Sequence, residues 1–295
     1  MIKKEKLPVS ILSANFNNGP FLKDFFESII ASSSLPSQIC IVDDGSSDNS
    51  VQIINQFKSK FESLDIKFSY ILFNNNQGFG KALNAALEVV EHEFTLRIDP
   101  DDLMKPNRLE LQIEFMKKNP KCAVLGGNIE YFSSKTKKKL RSSSVPLKER
   151  DISKNFLSGC VPLIHGSTFF RSDLLKKFKY RPEVVPAEDY DLFSRILKEG
   201  HMLCNIPEIL TEVRVHNLST TNFISYRTIE KTFRIREEVW SLKFSFFNSY
   251  RRFYNQKFYR KFLYDASITR FAYFFLAALL WPESIVRNLK SKFEL

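Results

Sequence analysis

Short apolar runs bounded by turn residues recur through the first half of the chain. Val9–Ser13, Ile39–Val42, Phe68–Phe73, Phe94–Ile98 and Ala123–Gly126 each read as a buried strand. Between them, Pro20–Ala31, Asn49–Phe61, Gly80–Val90 and Pro106–Lys118 carry apolar residues at helical spacing. In the last of these, Leu109, Ile113 and Met116 share one face and Pro106 stands at the start. Strands alternating with helices predict an α/β, doubly wound, mostly parallel sheet. Ligands on such sheets bind beyond the carboxyl ends of the strands. Asp43-Asp44-Gly45-Ser46 follows the second strand and Asp99-Pro100-Asp101-Asp102 the fourth, so two acidic clusters fall at that edge.

The pattern changes further along. Ser133–Ser144 is rich in Lys and Ser and reads as an exposed loop or hairpin. A mixed segment runs to about His216, and an aromatic, basic tail follows. The predicted organisation is a first domain over residues 1–221 and a helical extension over 222–295. Between Val239 and Tyr264 there are eleven aromatic and six basic residues and no Asp or Glu. Phe247, Tyr250, Tyr254, Phe258 and Phe262 fall at helical spacing, and Arg251, Lys257 and Lys261 can extend beside that face. Such a face suits an anionic membrane surface, or packing on the first domain or on a second subunit of a homo-oligomer. The longest apolar run, Phe271–Trp281, has eleven residues and ends at Pro282. Crossing a bilayer takes about 20 apolar residues, so the expectation is contact with a membrane surface without crossing.

Composition narrows the class. The 295 residues are 43% hydrophobic and 26% charged, ordinary for a globular enzyme. Cys40, Cys122, Cys160 and Cys204 form no CxxC pair, which argues against a zinc ribbon or a disulfide framework. A reducing compartment follows, and the Lys-rich start lacks the apolar stretch of a secretory leader. The expected location is therefore cytoplasmic, peripheral on the inner face of the cytoplasmic membrane. The net charge of +11 calls for an anionic partner. Nucleic acid is disfavoured, because it would leave the acidic clusters without a role.

Each cluster has a bland reading and a chemical one. Asp99, Asp101 and Asp102 repel one another unless a cation lies between them. They either cap the helix at Pro106 or hold a hard divalent ion that bridges to phosphates. Asp43 and Asp44 either make a tight turn or accept hydrogen bonds from a base or ribose. Glu188 and Asp189 either complement a helix dipole or supply a general base. Arg214 and His216 either pack structurally or grip a diphosphate.

In their order along the chain these clusters resemble the family-two glycosyltransferases, inverting enzymes of the GT-A fold. The resemblance runs from about Leu7 to Thr221. It comprises Val9–Asn17, Val42–Asp48, Asn76-Gln77-Gly78 with Ala82-Leu83-Asn84, and Asp99–Asp102 with Pro106 and Arg108-Leu109. His165-Gly166-Ser167, Glu188–Leu192 and Arg214-Val215-His216 complete it. The resemblance implies a GT-A catalytic domain over 1–221. It implies Ser13, Asn15, Asn76 and Gly78 lining the nucleotide pocket and Asp44, with Asp43 beside it, at the base. Asp99 would sit near ribose and sugar and share a Mn²⁺ or Mg²⁺ ion with its direct ligand Asp101. Asp189, with Glu188 beside it, would be the catalytic base, and Arg214 and His216 would lie near the diphosphate. The implied partners are a nucleotide diphosphosugar, by default a UDP-sugar, and a glycan or lipid-linked acceptor. Two positions depart from the pattern. Phe178-Lys179 stands where many relatives have glycines, and Leu83 where many have Arg. Rival readings are a nucleotide-sugar-binding module without chemistry and a nucleotidyltransferase. Glu188-Asp189 speaks against both, since neither needs a distal base.

Overall fold

The computed structural model describes residues 4–216, 225–264 and 267–282. The chain falls into two compact units, Met1–Ser219 and Thr220–Leu295. The stretch Ser219-Thr220-Thr221 and the expected boundary after 221 lie outside the described residues.

The first unit opens with β1 (Lys6–Asn15), α1 (Gly19–Ile30), β2 (Leu35–Asp43), α2 (Ser50–Ser63), β3 (Lys67–Leu72), α3 (Phe79–Glu88) and β4 (Phe94–Arg97). It continues with β5 (Leu103–Met104), α4 (Arg108–Lys118), β6 (Cys122–Ser133), β7 (Lys139–Ser142), α5 (Glu149–Leu157) and β8 (Phe169–Arg171). It ends with α6 (Ser172–Phe178), α7 (Glu188–Lys198) and β9 (Met202–Val215).

The strands form a single sheet in the order β3-β2-β1-β4-β8-β6-β9-β5, with β7 paired to β6. From β3 to β4 the pairing is parallel. Here β1 and β2 are apolar on both faces, because α1, α2 and α3 cover the sheet. A core of Val9, Ile11, Phe25, Phe26, Ile39, Ile41, Phe61 and Phe94 holds this half together. Beyond β4 the sheet becomes mixed: β8 runs antiparallel to both β4 and β6. The Lys-rich segment is a hairpin, with β7 antiparallel to β6.

Two features aim the site. The winding reverses at β1, since β2 and β4 flank it, and this makes a cleft at the strand ends. In addition, β5 pairs with β9 through Leu103↔Glu212 and Met104↔Thr211. That short pairing carries the acidic turn after β4 to the end of β9, where Arg214 and His216 stand.

The second unit contains α8 (Tyr226–Trp240), α9 (Phe246–Tyr264) and α10 (Arg270–Leu280). Among the described residues no helix is long and apolar enough to cross a membrane.

Candidate active site

At the ends of β1 and β2 the polar residues bind one another. Asn15 donates through Nδ2 to Asp43 Oδ2 at 2.7 Å, and the Ser46 amide donates to Asp43 Oδ1 at 2.8 Å. Asp44 accepts from the Gln77 and Gly78 amides at 2.7 and 2.9 Å, so it fastens the loop before α3 to the end of β2. Gly45 is required between them: its φ is +73°, and a Cβ there would lie 2.5 Å from the Asn75 carbonyl carbon. Ser13 donates to the Ile98 carbonyl at 2.9 Å and ties β1 to the acidic turn. Ser13, Asn15, Asp43 and Asp44 are all buried, while Asn76 is exposed at the rim and Gly78 half-buried beside it. Asn15 Oδ1 is buried with no partner among the described residues.

The acidic turn is held from both sides. Asp99 is ion-paired with Arg97, the last residue of β4. Burial works to raise the Asp99 pKa, but the charge of Arg97, its hydrogen bond and the charge of Arg108 hold it below the usual carboxylate value. Asp102 accepts from the Arg214 amide at 2.9 Å. Its pKa is raised by burial, then by Asp101 and Asp99. Asp101 points its Oδ2 at His216 Nε2, 3.1 Å away. The Arg214 side chain is 2% exposed. It donates to the Asp101 carbonyl and to Asp24 Oδ2, each at 2.8 Å, and lies over the rings of Phe21 and Phe132. Arg214 thus fastens the acidic turn to α1 and β9.

A second arginine braces the floor. Arg108 at the start of α4 is fully buried, and its guanidinium donates to the carbonyls of Gly166, Arg97 and Thr168 and to Thr211 Oγ1. Burial, followed by the charge of Arg97, lowers its pKa to about 9. These bonds press the 3₁₀ turn His165–Ser167 against β4.

The third group stands at the N-terminus of α7. Asp189 Oδ1 accepts from the Tyr190 amide at 2.6 Å. Burial raises its pKa to about 6, with a further push from Asp99. Burial and then the charge of Asp189 raise Glu188 to about 7. Glu188 Oε2 is buried with no partner among the described residues. Tyr180 and His165 complete this wall, with Tyr180 Oη and His165 Nε2 2.9 Å apart. Burial, then Arg97, lowers His165 to about 3, so its ring is neutral near pH 7. Tyr180 is pushed well up, chiefly by burial.

Arg97 links the groups and was not singled out in the sequence. It is fully buried and lies over the Phe79 ring at 5.3 Å. Nε and Nη1 have no partner among the described residues. The available signal was a cationic residue closing an otherwise apolar strand, Phe94-Thr95-Leu96-Arg97. Its charge acts on Asp99, Tyr180, His165 and Glu188, so the acidic turn and the N-terminus of α7 share one electrostatic site. The two departures also have physical accounts. Leu83 is buried on α3. Lys179 adopts φ +48°, a left-handed conformation that glycine takes more readily. It is held there by its amide on the Leu175 carbonyl and by Arg195 on its own carbonyl.

The switch-point cleft, the acidic turn and the curled mixed sheet make this a GT-A-type α/β fold. The sequence profile described as Glycosyl transferase family 2 matches residues 10–178, more than half of the 295-residue chain, and the chain belongs to that family. The amylovoran biosynthesis glycosyltransferase AmsE of Erwinia amylovora is 35% identical over 139 residues, 47% of this chain and 51% of AmsE. TarS 1-349 of S. aureus in complex with UDP-GlcNAc superposes with a TM-score of 0.63 at 17% identity, over 95% of this chain and 83% of TarS 1-349. The mannosyltransferase PcManGT of Pyrobaculum calidifontis, in complex with GDP-Man and Mn²⁺, superposes with a TM-score of 0.61 at 13% identity. The overlap covers 98% of this chain and 80% of PcManGT. At these identities the two structures speak for the fold.

Proposed function

We propose that the chain transfers a sugar from a nucleotide diphosphosugar to an acceptor hydroxyl with inversion, with Asp189 as general base. The observation that carries the reading is the contrast in its carboxylates. Asp189 is half-buried, has a pKa raised to about 6 chiefly by loss of water around it, and feels the charge of Asp99 in the acidic turn after β4. A carboxylate so poised can take a proton from an attacking hydroxyl near neutral pH. Glu188, raised to about 7 beside it, holds a proton over part of that range and keeps a second negative charge away from the acceptor.

The donor set fits a divalent ion. Asp101 Oδ2 and His216 Nε2 form an oxygen–nitrogen pair 3.1 Å apart. No group of three or more His, Cys, Asp or Glu side chains gathers as a full cage among the described residues. An ion with one or two protein ligands that completes its shell with water and substrate phosphates is the usual habit of Mg²⁺. Asp101 and His216 would hold Mn²⁺ or Mg²⁺, and Asp99, kept ionised by Arg97, would add charge beside it. The ion would supply Lewis-acid neutralisation of the diphosphate. Arg214 and Asp24 keep Asp101 in place, and Asp44 keeps the Gln77-Gly78 loop closed over the nucleotide end. Ser13, Asn15 and Asp43 give that end a rigid polar wall, with Asn15 Oδ1 left to accept a donor from base or ribose.

UDP-sugar is the proposed donor, supported by the UDP-GlcNAc complex of TarS 1-349. A glycan or lipid-linked acceptor in surface-polysaccharide synthesis is supported by the likeness to AmsE. The test is release of free nucleoside diphosphate when a nucleotide-sugar panel is incubated with acceptor and Mn²⁺. Release of pyrophosphate would instead mark a nucleotidyltransferase. Tight donor binding without turnover would mark a binding module.

A further inference from the structure

The helices of the second unit distribute their aromatic residues in a way that composition did not reveal. On α9, Phe258 stacks on Tyr273 of α10 with centroids 6.2 Å apart, and Phe262 meets Phe274 at 5.0 Å. Asn255 donates to the Ala277 carbonyl at 2.8 Å. Phe258 and Phe262 of that α9 face are therefore covered by α10, while Phe247 and Tyr250 stay 71% and 46% exposed. A second bare apolar surface lies on α10, where Phe271, Phe275 and Leu279 recur at four-residue steps on one face and Ile268 stands in the turn just before the helix. Phe271, at the inner edge of the row, also meets Phe262 of α9 at 6.4 Å. Ile268, Phe275 and Leu279 are 86%, 69% and 78% exposed. A row of large apolar side chains this exposed is costly in water and marks a docking surface.

Cations bracket the row. Arg270 sits at the start of α10 over Phe271, and Lys261 lies over the Tyr273 ring at 4.8 Å. At the other end Arg251 donates to the Leu280 carbonyl at 2.9 Å and lies over Trp281. From Val239 to Pro282 the sequence carries seven Lys and Arg against a single acid, Asp265. Apolar side chains flanked by Lys, Arg, Tyr and Trp match the layering of an acyl–headgroup boundary.

We infer that the outer face of α10 is the seat of an anionic lipid bilayer, with Ile268, Phe271, Phe275 and Leu279 in the acyl boundary and Lys261, Arg270 and Arg251 among the headgroups. Eleven residues of helix reach about 16 Å, about half the hydrocarbon thickness, so α10 lies in the surface and does not cross. A second copy of the chain fits less well. A strip about 16 Å by about 10 Å is far below the roughly 800 Å² per partner of a stable dimer. A two-fold pairing would also bring the cations of one row against those of the other. The inference stands on the second unit alone and is independent of the sugar-transfer reading.

Flotation of the full chain with vesicles tests it, using phosphatidylglycerol mixed with phosphatidylcholine against phosphatidylcholine alone. The chain should float with the anionic vesicles, and raised salt should weaken binding. Phe275→Glu with Leu279→Glu should weaken it about 100-fold. Lys261→Gln with Arg270→Gln should weaken it about tenfold or more. Both pairs should leave the melting temperature and nucleoside diphosphate release with a soluble acceptor unchanged. Equal binding by the Glu variant, or equal binding to neutral vesicles, would overturn the inference. So would a dimer in solution that Phe275→Glu with Leu279→Glu dissociates, which would make the row an interface between copies.

Discussion

The Asp43-Asp44 turn and the Glu188-Asp189 pair look alike in sequence, two adjacent acids at the start of a helix or turn, yet the fold treats them oppositely. At the first, both oxygens of each carboxylate accept hydrogen bonds, from Asn15, Ser46, Gln77 and Gly78. At the second, the Tyr190 amide serves Asp189, Glu188 Oε2 is left without a partner among the described residues, and both pKa values rise. Hydrogen bonds to the charged form stabilise the ion and burial destabilises it, so the two pairs differ in what water was replaced with. In the first pair every carboxylate oxygen has a protein donor; in the second the Tyr190 amide is the donor given to Asp189 Oδ1, and Glu188 Oε2 has none among the described residues.

That comparison can be broken in several places. Apart from the base itself, the largest effect is expected at the acidic turn. Asp101→Ala should lower kcat/KM about a thousandfold and abolish Mn²⁺-dependent stabilisation of the donor complex in a thermal-shift series. Arg214→Ala leaves the direct donors in place but unfastens them. It should weaken metal affinity about 10- to 100-fold by titration calorimetry. The pH profile separates the base from the scaffold. With Asp189 near 6, kcat/KM should fall about tenfold per pH unit below that value, because the protonated acid cannot accept a proton, and level off above it. Arg97→Met should cost about 2 kcal/mol of stability by denaturant titration. The figure lies below the usual loss for breaking a buried pair because the Asp99 side chain is 33% exposed. The smallest effect belongs to the satisfied pair. Asp44→Asn loses one of two accepted amide bonds and should cost about 1–2 kcal/mol by the same titration.

Much of this was legible in the sequence. Short apolar runs located β1 to β4 and helical spacing located α1 to α4, because β1, β2 and β4 are buried on both faces and the helices bury one stripe. The clusters were legible as chemistry through their order. The pairings that aim them were not. β5 has two residues, and only its partner β9, more than 100 residues away, makes it a strand. The bonds of Arg214 were hidden for the same reason: its acceptors, Asp24 and the Asp101 carbonyl, lie on segments distant in sequence. Arg97 hid inside an apolar strand. On the tail, the spacing marked the aromatic face of α9 but not that its Phe258 and Phe262 pack on α10 while Phe275 and Leu279 of α10 stay bare.

The central claim is that Asp189 is the base of a sugar transfer, distinct from the groups that bind the donor. Nucleoside diphosphate release by wild type and Asp189→Asn, measured with donor affinity on the same samples with Mn²⁺ and acceptor, tests it most directly. The account predicts unchanged donor affinity and a release rate lower by about 10²- to 10⁴-fold. Release at the wild-type rate by Asp189→Asn would contradict it.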